Sequence, residues 1–344
     1  MSTNKLAVVI LNWNTRALLE EFLPQVVKYS TLPNVKIVIA DNGSTDDSVD
    51  WVQSNYPQVS VIELGHNYGF AEGYNKALQQ INSELAVLLN SDAAPSEGWI
   101  TPLIECMDHH PKAAACVPKI KDYKQPHLFE YAGAAGGFID RFGYPFCRGR
   151  IFDEVEEDKN QYDKEGTIFW GSGAALVVRR ELFLKSGGLD SDFFAHMEEI
   201  DWCWRVQNQG YSIRYVPQST VFHKGGGTLD SLNSRKTYLN FRNNLFLLLK
   251  NRSGGNIFPL LFFRMTMDFL ALLNFILQRE PKNAWAIHLA HRHFIKDFRK
   301  FYKKRKQLMQ IQTQPHHKDI YKGSIVWDYY IRKVRKFKQI KQYR

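Results

Sequence analysis

Four strand-like stretches punctuate the first ninety residues: Leu6 to Leu11, Val35 to Ala40, Val59 to Leu64, and Leu85 to Leu89 with the polar Asn90-Ser91-Asp92 at its end. The runs LAVVIL and LAVLL are apolar throughout, as in strands buried on both faces of a parallel sheet. Between them, apolar positions recur at helical spacing over Arg16 to Tyr29, from a cap at Thr45 or Asp46 toward Tyr56, over Gly69 to Gln80, and over Gly98 to His109. Ala113 to Val117 reads as a further short strand. This alternation predicts an α/β fold with a mostly parallel, mixed central sheet and right-handed crossovers.

Polar residues sit where these strands stop. Asn12 and Asn14 follow the first, Asp41, Asn42 and Ser44 the second, Asn90 and Asp92 the fourth. Ligands of open α/β sheets bind beyond the carboxyl ends of the strands. One such cluster is an ordinary turn. Three on one edge predict a polar cleft of nucleotide size. Asp92 there suits a divalent cation and the phosphates it carries. The competing reading makes Asp92 a cap for the helix after Pro95, with Ser96 a rival cap.

The remainder is less regular. Lys119 to Gly166 is rich in Gly, Pro, aromatics and charge. It reads as loops that shape an acceptor pocket, with Gly133 to Gly137 a flexible turn and Asp153 to Asp158 a solvated acidic run. Thr167 to Arg179 returns to strand character. Its Gly171, Ser172 and Gly173 either let backbone approach a ligand or form a tight bend. A helix over Phe193 to Gln209 opens on Glu198, Glu199 and Asp201, although one acid would satisfy its dipole. Tyr211 to Val216 is a strand. Val221-Phe222-His223 precedes the run Lys224-Gly225-Gly226-Gly227, and His223 alone reads as structural.

Asn256 to Leu277 is apolar enough to approach a membrane span, but Arg264 and Asp268 interrupt it. Four residues apart, they pair on one helix face, so the stretch reads as an interfacial or core-docked helix. Ala284 to Phe298 is a second amphipathic helix, and Lys300 to Lys306 (KFYKKRK) is polybasic. Apolar helix plus basic patch predicts peripheral membrane binding. A division follows at residues 1–250 and 251–344.

Charge sharpens that division. Of the net +10 on 344 residues, Arg292 to Arg344 holds 17 Lys and Arg against three Asp, a net of +14, which leaves the rest at about −4. Anionic membrane and nucleic acid are the two partners such a tail suits. No nucleic-acid module accompanies it, so no nucleic-acid partner is expected. The first residues lack a signal-peptide pattern, and the four cysteines form no C-x-x-C pair. Both fit a reducing cytoplasm, without a disulfide framework or zinc site.

Taken together, VVILNWN (8–14), DNGSTD (41–46), NYGFAEGYN (67–75), LLNSD (88–92) and EEIDWCWR (198–205) resemble the family 2 inverting glycosyltransferases of GT-A fold. More narrowly, they resemble the rhamnosyltransferase-like branch of bacterial polysaccharide assembly. The resemblance covers Leu6 to Leu249. It implies a donor of the dTDP-rhamnose or UDP-hexose kind and a glycan or lipid-linked acceptor at the inner face of the cell membrane. Asp41 would then bind the pyrimidine, Asn12 and Asn14 the base and ribose. Asn42, Asn67, Gly69, Asn75, Asn90 and Ser91 would border the nucleotide and sugar. Asp92, last of the Asp-x-Asp motif whose first position here is Asn90, would hold Mg²⁺ or Mn²⁺ with His223. Glu199 stands at the general base, with Glu198 and then Asp201 as alternatives. Trp170, Gly171 and Ser172 would meet the acceptor.

Three rivals are set against this reading. A nucleotidyltransferase would need a Gly-rich basic loop after the first strand, which Asn12-Trp13-Asn14-Thr15 is not. A non-catalytic nucleotide-sugar-binding module with a membrane-surface tail draws on the Glu at 199. A nucleic-acid binder draws on the tail alone.

Overall fold

A computed structural model of the protein describes residues 4–225, 234–314 and 317–343; Met1 to Thr3 and the glycines at 226 and 227 lie outside this range. The chain begins with β1 (Asn4–Asn12), α1 (Arg16–Ser30), β2 (Val35–Asp41), α2 (Ser48–Asn55), β3 (Ser60–Glu63), α3 (Gly69–Gln79) and β4 (Ser83–Leu89). β1 pairs in parallel with β2 and β4, and β2 with β3. Leu6 to Ile10 and Leu85 to Leu89 are buried throughout, as strands covered on both faces require. The register sets Asn12 opposite Asp41, so two of the polar strand ends lie side by side.

After β5 (Ala93–Pro95), α4 (Ile100–His109) and β6 (Ala113–Asp122), the chain leaves the sheet for four short strands. These are β7 (Gly137–Asp140), β8 (Pro145–Cys147), β9 (Arg150–Ile151) and β10 (Glu154–Val155). It returns through β11 (Gly166–Ile168), β12 (Ala175–Arg179), α5 (Arg180–Lys185), α6 (Glu198–Asn208) and β13 (Ser212–His223). The main sheet runs β11-β13-β6-β12-β4-β1-β2-β3, with β5 against β13. β12 is antiparallel to β4 and β6, which makes one half of the sheet mixed. α7 (Ser234–Asn251), α8 (Ile257–Leu277), α9 (Pro281–Gln310), β14 (Ile320–Tyr321) and α10 (Ile325–Tyr330) complete the chain.

Several sequence expectations change here. The region 119–166 contains a small second sheet, β10-β9-β8-β7-β14, whose last strand comes from the C-terminal region. Its two- and three-residue strands carry no readable period. The acidic run is not simply solvated, because the Asp158 side chain is buried and pairs with Lys119 at 3.1 Å and Lys121 at 3.3 Å. Residues 167–179 form two strands separated by a bend, while the helix expected to begin at Glu198 and its neighbouring acids does begin there. The basic region is largely built in. Tyr321, Ile325, Phe337 and Ile340 join the same core as Trp202 and Leu245, and Lys300 and Lys304 pair with Asp192 and Asp190.

α8 is amphipathic the wrong way round. Its inward positions, Ile257, Leu261, Arg264 and Asp268, recur at helical spacing and include both of its charges. Arg264 Nε donates to Asp268 at 2.9 Å, and its NH1 donates to Asn244 on α7. The outward face is apolar, with Phe262 76% and Leu277 82% exposed beside Phe258, Phe269, Leu270, Leu273 and Ile276. By length and composition α8 could cross a membrane.

Candidate active site

At the edge where β1 and β2 end, the side chains hold one another. Asn12 is fully buried, and its amide donates to Asp41 Oδ1 at 2.9 Å, Ser44 Oγ at 3.0 Å and Ser48 Oγ at 2.8 Å. Asn12 therefore fixes the pocket's shape from behind rather than lining it. Asp41 Oδ2 accepts from the backbone N–H of Gly43 and Ser44. Asn14, at φ +54°, accepts from Thr45 N at 2.7 Å on the exposed side. Trp13, half exposed between them, offers an aromatic face that the sequence reading did not single out.

Asn42 extends the network to the next element. It donates to Asn67 Oδ1 and Gly69 O and accepts from Tyr68 N. Gly69, at φ +76°, turns the chain into α3 and faces the ring of Phe194. The edge where β1 and β2 end thus touches the loop that leads into α6. Asn75 does not border this edge. Its amide is taken by Leu189, donating to the carbonyl at 2.8 Å and accepting from the N–H at 2.9 Å.

Asp92 follows β4 and His223 ends β13, and the sheet brings them together across 131 residues of sequence. His223 Nε2 lies 3.0 Å from Asp92 Oδ1 and 3.2 Å from the Asn90 amide. Asp92 caps nothing: α4 begins after Trp99, and Ser96 donates to Thr220 O. Glu130, missed from sequence, lies 3.3 Å from His223 Nδ1. Burial pushes the His223 pKa down, but hydrogen bonds to Asp92 and Glu130 outweigh it and push it up to about 10. Burial also raises Asp92, yet its bond to His223 leaves it below the usual range. Ser91 sits half-buried beside them.

With the proton on His223 Nε2 displaced, a carboxylate oxygen, an imidazole nitrogen and the Asn90 carboxamide oxygen form a donor set that fits Mg²⁺ or Mn²⁺ completed by phosphate oxygens and water. Glu130 would orient the imidazole from its far nitrogen.

The acids of α6 divide sharply. Asp201 accepts from Arg205 Nε at 2.8 Å, Lys250 Nζ at 2.8 Å and Asn251 Nδ2 at 2.7 Å. Despite burial its pKa is lowered by Lys250 and Arg205, and this saturation removes it as a base. Glu198 and Glu199 are the opposite: one buried oxygen on each has no hydrogen-bond partner among the described residues. Burial pushes Glu199 up to about 7. Burial and then the charge of Glu199 push Glu198 well above the usual carboxylate range. Two interacting carboxyls of this kind titrate as a pair and hold a proton between them above the usual carboxylate range. The Cys147 thiol is raised to about 11, chiefly by burial and against the lowering effect of Arg150.

The backbone before α6 is strained. Phe194, His196 and Met197 all have φ between +66° and +74°, a region costly for residues with a Cβ. Asn243 of α7 holds them there. Its amide donates to the carbonyls of Phe193 at 2.9 Å, Ala195 at 2.8 Å and His196 at 2.8 Å. His196, buried next to Lys236, is pushed down to about 4 by burial and then by that charge.

The expected acceptor triplet is packing. Trp170 is buried, donates to Phe138 O at 2.9 Å and covers Gly137, where a Cβ would meet its ring. A Cβ on Gly171 would strike Val117, so the glycine serves the sheet's closeness and not a ligand's. Ser172 Oγ is buried and accepts from Ala174 N at 3.2 Å. The tight-bend reading describes this stretch.

Residues 7–185 match the family described as Glycosyl transferase family 2. Among curated relatives, the N-acetylglucosaminyl-diphospho-decaprenol L-rhamnosyltransferase of Mycobacterium tuberculosis is 28% identical over 239 residues, 64% of this chain and 76% of that protein. Rhamnosyltransferase WbbL of Escherichia coli is 22% identical over 196 residues, 55% of this chain and 72% of that protein. Among solved structures, the mannosyltransferase PcManGT of Pyrobaculum calidifontis, in complex with GDP-Man and Mn²⁺, superposes with a TM-score of 0.52. It is 15% identical, with 90% of this chain and 86% of that chain covered. At that identity the likeness is one of fold, the GT-A arrangement.

Proposed function

The chain belongs to glycosyl transferase family 2 and is a glycosyltransferase of glycan synthesis, and from that premise we propose that it transfers a sugar, with inversion, from a nucleotide-sugar to a hydroxyl of a lipid-linked glycan. The donor is of the dTDP-rhamnose or UDP-hexose kind, the former favoured by the two rhamnosyltransferase relatives. The observation that carries this reading is the pair Glu198–Glu199, unpartnered among the described residues and delivered by a strained loop whose Phe194 ring lies against Gly69.

The acceptor hydroxyl gives its proton to Glu199 Oε2 as its oxygen attacks the anomeric carbon, and the sugar–phosphate bond breaks in line. Glu198 stays protonated, so the base carries one negative charge and not two. Asp41 and the turn at Gly43 and Ser44 receive the base of the nucleotide, with Asn12 and Asn42 holding that turn in shape. Asp92 and His223 would hold the divalent cation, which supplies neutralising charge for the departing diphosphate. Asn243 keeps Glu199 aimed by fixing the loop before it, and the precision matters because misplacement forfeits much of the gain from alignment.

The reaction belongs at a membrane surface on the cytoplasmic side. The outward apolar face of α8 supports this, since an exposed apolar patch of that extent needs a covering partner. Its inward Arg264–Asp268 pair argues for a helix docked on the protein along one side and lying in the interface along the other.

A thermal-shift titration with UDP, dTDP and GDP, with and without Mn²⁺, tests the donor and metal assignments. Ligand binding to the native state raises its apparent stability by mass action. A Mn²⁺-dependent shift in wild type and none in Asp92→Ala supports the proposal. Equal shifts in both proteins would remove Asp92 from the metal site.

A further inference from the structure

At the foot of α8 a cavity of about 360 Å³ opens between the turn after β7 and the start of the helix. Its walls are apolar at Phe142, Pro259, Leu260 and Phe263, and cationic at Arg141 and Arg252. Neither guanidinium has an ion pair among the described residues; Arg141 rests against the Phe142 ring, 4.9 Å from its centroid. Asp140, the acid whose field reaches Arg252, has its oxygens on the N–H groups of Phe142, Tyr144 and Ile325. Burial, and then the charge of Arg141, lower the pKa of Arg252. Two like charges therefore converge on one cavity with no anion of the protein between them.

The geometry points to a site for the phosphate headgroup of an acidic membrane lipid, with Arg141 and Arg252 on the phosphate and Phe142 and Phe263 beside the first carbons of the lipid. A planar guanidinium matches phosphate oxygens two at a time, which an exposed lysine does not. The lipid source follows from continuity. Phe263 belongs both to the cavity and to the bare face that Phe258 and Phe262 extend, so a phosphate seated here brings its chains onto that face. The inference rests on the membrane-surface reading above and adds to it a specific headgroup contact.

Flotation of the full-length protein with vesicles of phosphatidylcholine, alone or mixed with phosphatidylglycerol, tests it. Wild type should prefer the mixed vesicles, and Arg141→Gln/Arg252→Gln should lower that preference by about tenfold. Arg299→Gln/Lys303→Gln, which removes the same charge from exposed positions on α9, should lower it by less than about threefold. Arg141→Gln alone, at an exposed position, keeps the test open if the double variant misfolds; it should lose part of the preference. A control pair that loses as much as the arginine pair would assign the attraction to diffuse charge and overturn the site, as would equal flotation of wild type on both vesicles. Flotation on neither would end the membrane reading together with this inference. Inorganic phosphate that stabilises wild type but not the arginine variant, with no vesicle selectivity, would assign the cavity to free phosphate and overturn the lipid.

Discussion

Glu199 is a carboxyl whose burial works against the fold and for the chemistry. It holds its proton to about pH 7 in the folded chain and to about 4.5 when unfolded. Between those values the folded form binds more protons, so this group's contribution to stability falls as pH rises. Glu199→Gln removes that dependence. Its stability relative to wild type should grow from pH 5 to pH 8 by up to about 3 kcal/mol in denaturant melts at each pH; a constant difference would contradict the raised pKa. Since only the deprotonated form accepts a proton, the kcat/KM of wild type should rise with pH through about 7. At this scale the sequence was informative about residue types and less so about duties. The motif placed Asp92, His223 and Glu199 among the candidates, but Asn12, Asn75, Trp170 and Ser172 turned out to bond to their own neighbours. Polar residues at strand ends look alike in sequence whether they face a ligand or each other.

Among elements, the segment from Phe193 to Met197 was the hardest to read. The helix start at the acids was legible, but the three residues at positive φ that precede it were not. The cause lies about fifty residues downstream, in Asn243 of α7, which no local pattern announces. Asn243→Ala should destabilise the protein by about 1–2 kcal/mol, since its two N–H donors, shared among three carbonyls, are worth about 1 kcal/mol each. It should lower kcat while leaving nucleotide affinity nearly unchanged, since the clamp acts on the base and not on the Asp41 turn. A loss in nucleotide affinity equal to the loss in kcat would instead mark a general structural role. α8 was legible as apolar with a paired Arg264 and Asp268, but the sequence could not say which face turned inward. Phe262→Ser/Leu277→Ser, both outward, should weaken vesicle flotation without lowering the melting temperature. A lower melting temperature with unchanged flotation would put these side chains against the protein.

For the whole molecule, the alternation of strands and helices over residues 6–117 was readable because each parallel strand is a continuous apolar run. The mixed half of the sheet was not, because β5, β11 and β12 are five residues or shorter and their pairing is set by distant partners. Charge counting gave a basic tail, yet Lys300 and Lys304 serve as bridges to Asp192 and Asp190 in the loop before α6, and Phe337 and Ile340 lie in the common core. The C-terminal region is thus mechanically coupled to the base-bearing loop: α7 holds it through Asn243 and Lys250, and α9 through Lys304. Asp201, one turn from Glu198, has its oxygens saturated where Glu198 does not.

The most direct test of the central claim is turnover of a nucleotide-sugar with a lipid-linked acceptor, compared in wild type, Glu199→Gln and Glu198→Gln. The base assignment predicts a loss of about 10²-fold or more in kcat for Glu199→Gln, with nucleoside diphosphate binding retained, and a smaller loss for Glu198→Gln. Wild-type turnover by Glu199→Gln, or a larger loss in Glu198→Gln, would contradict it.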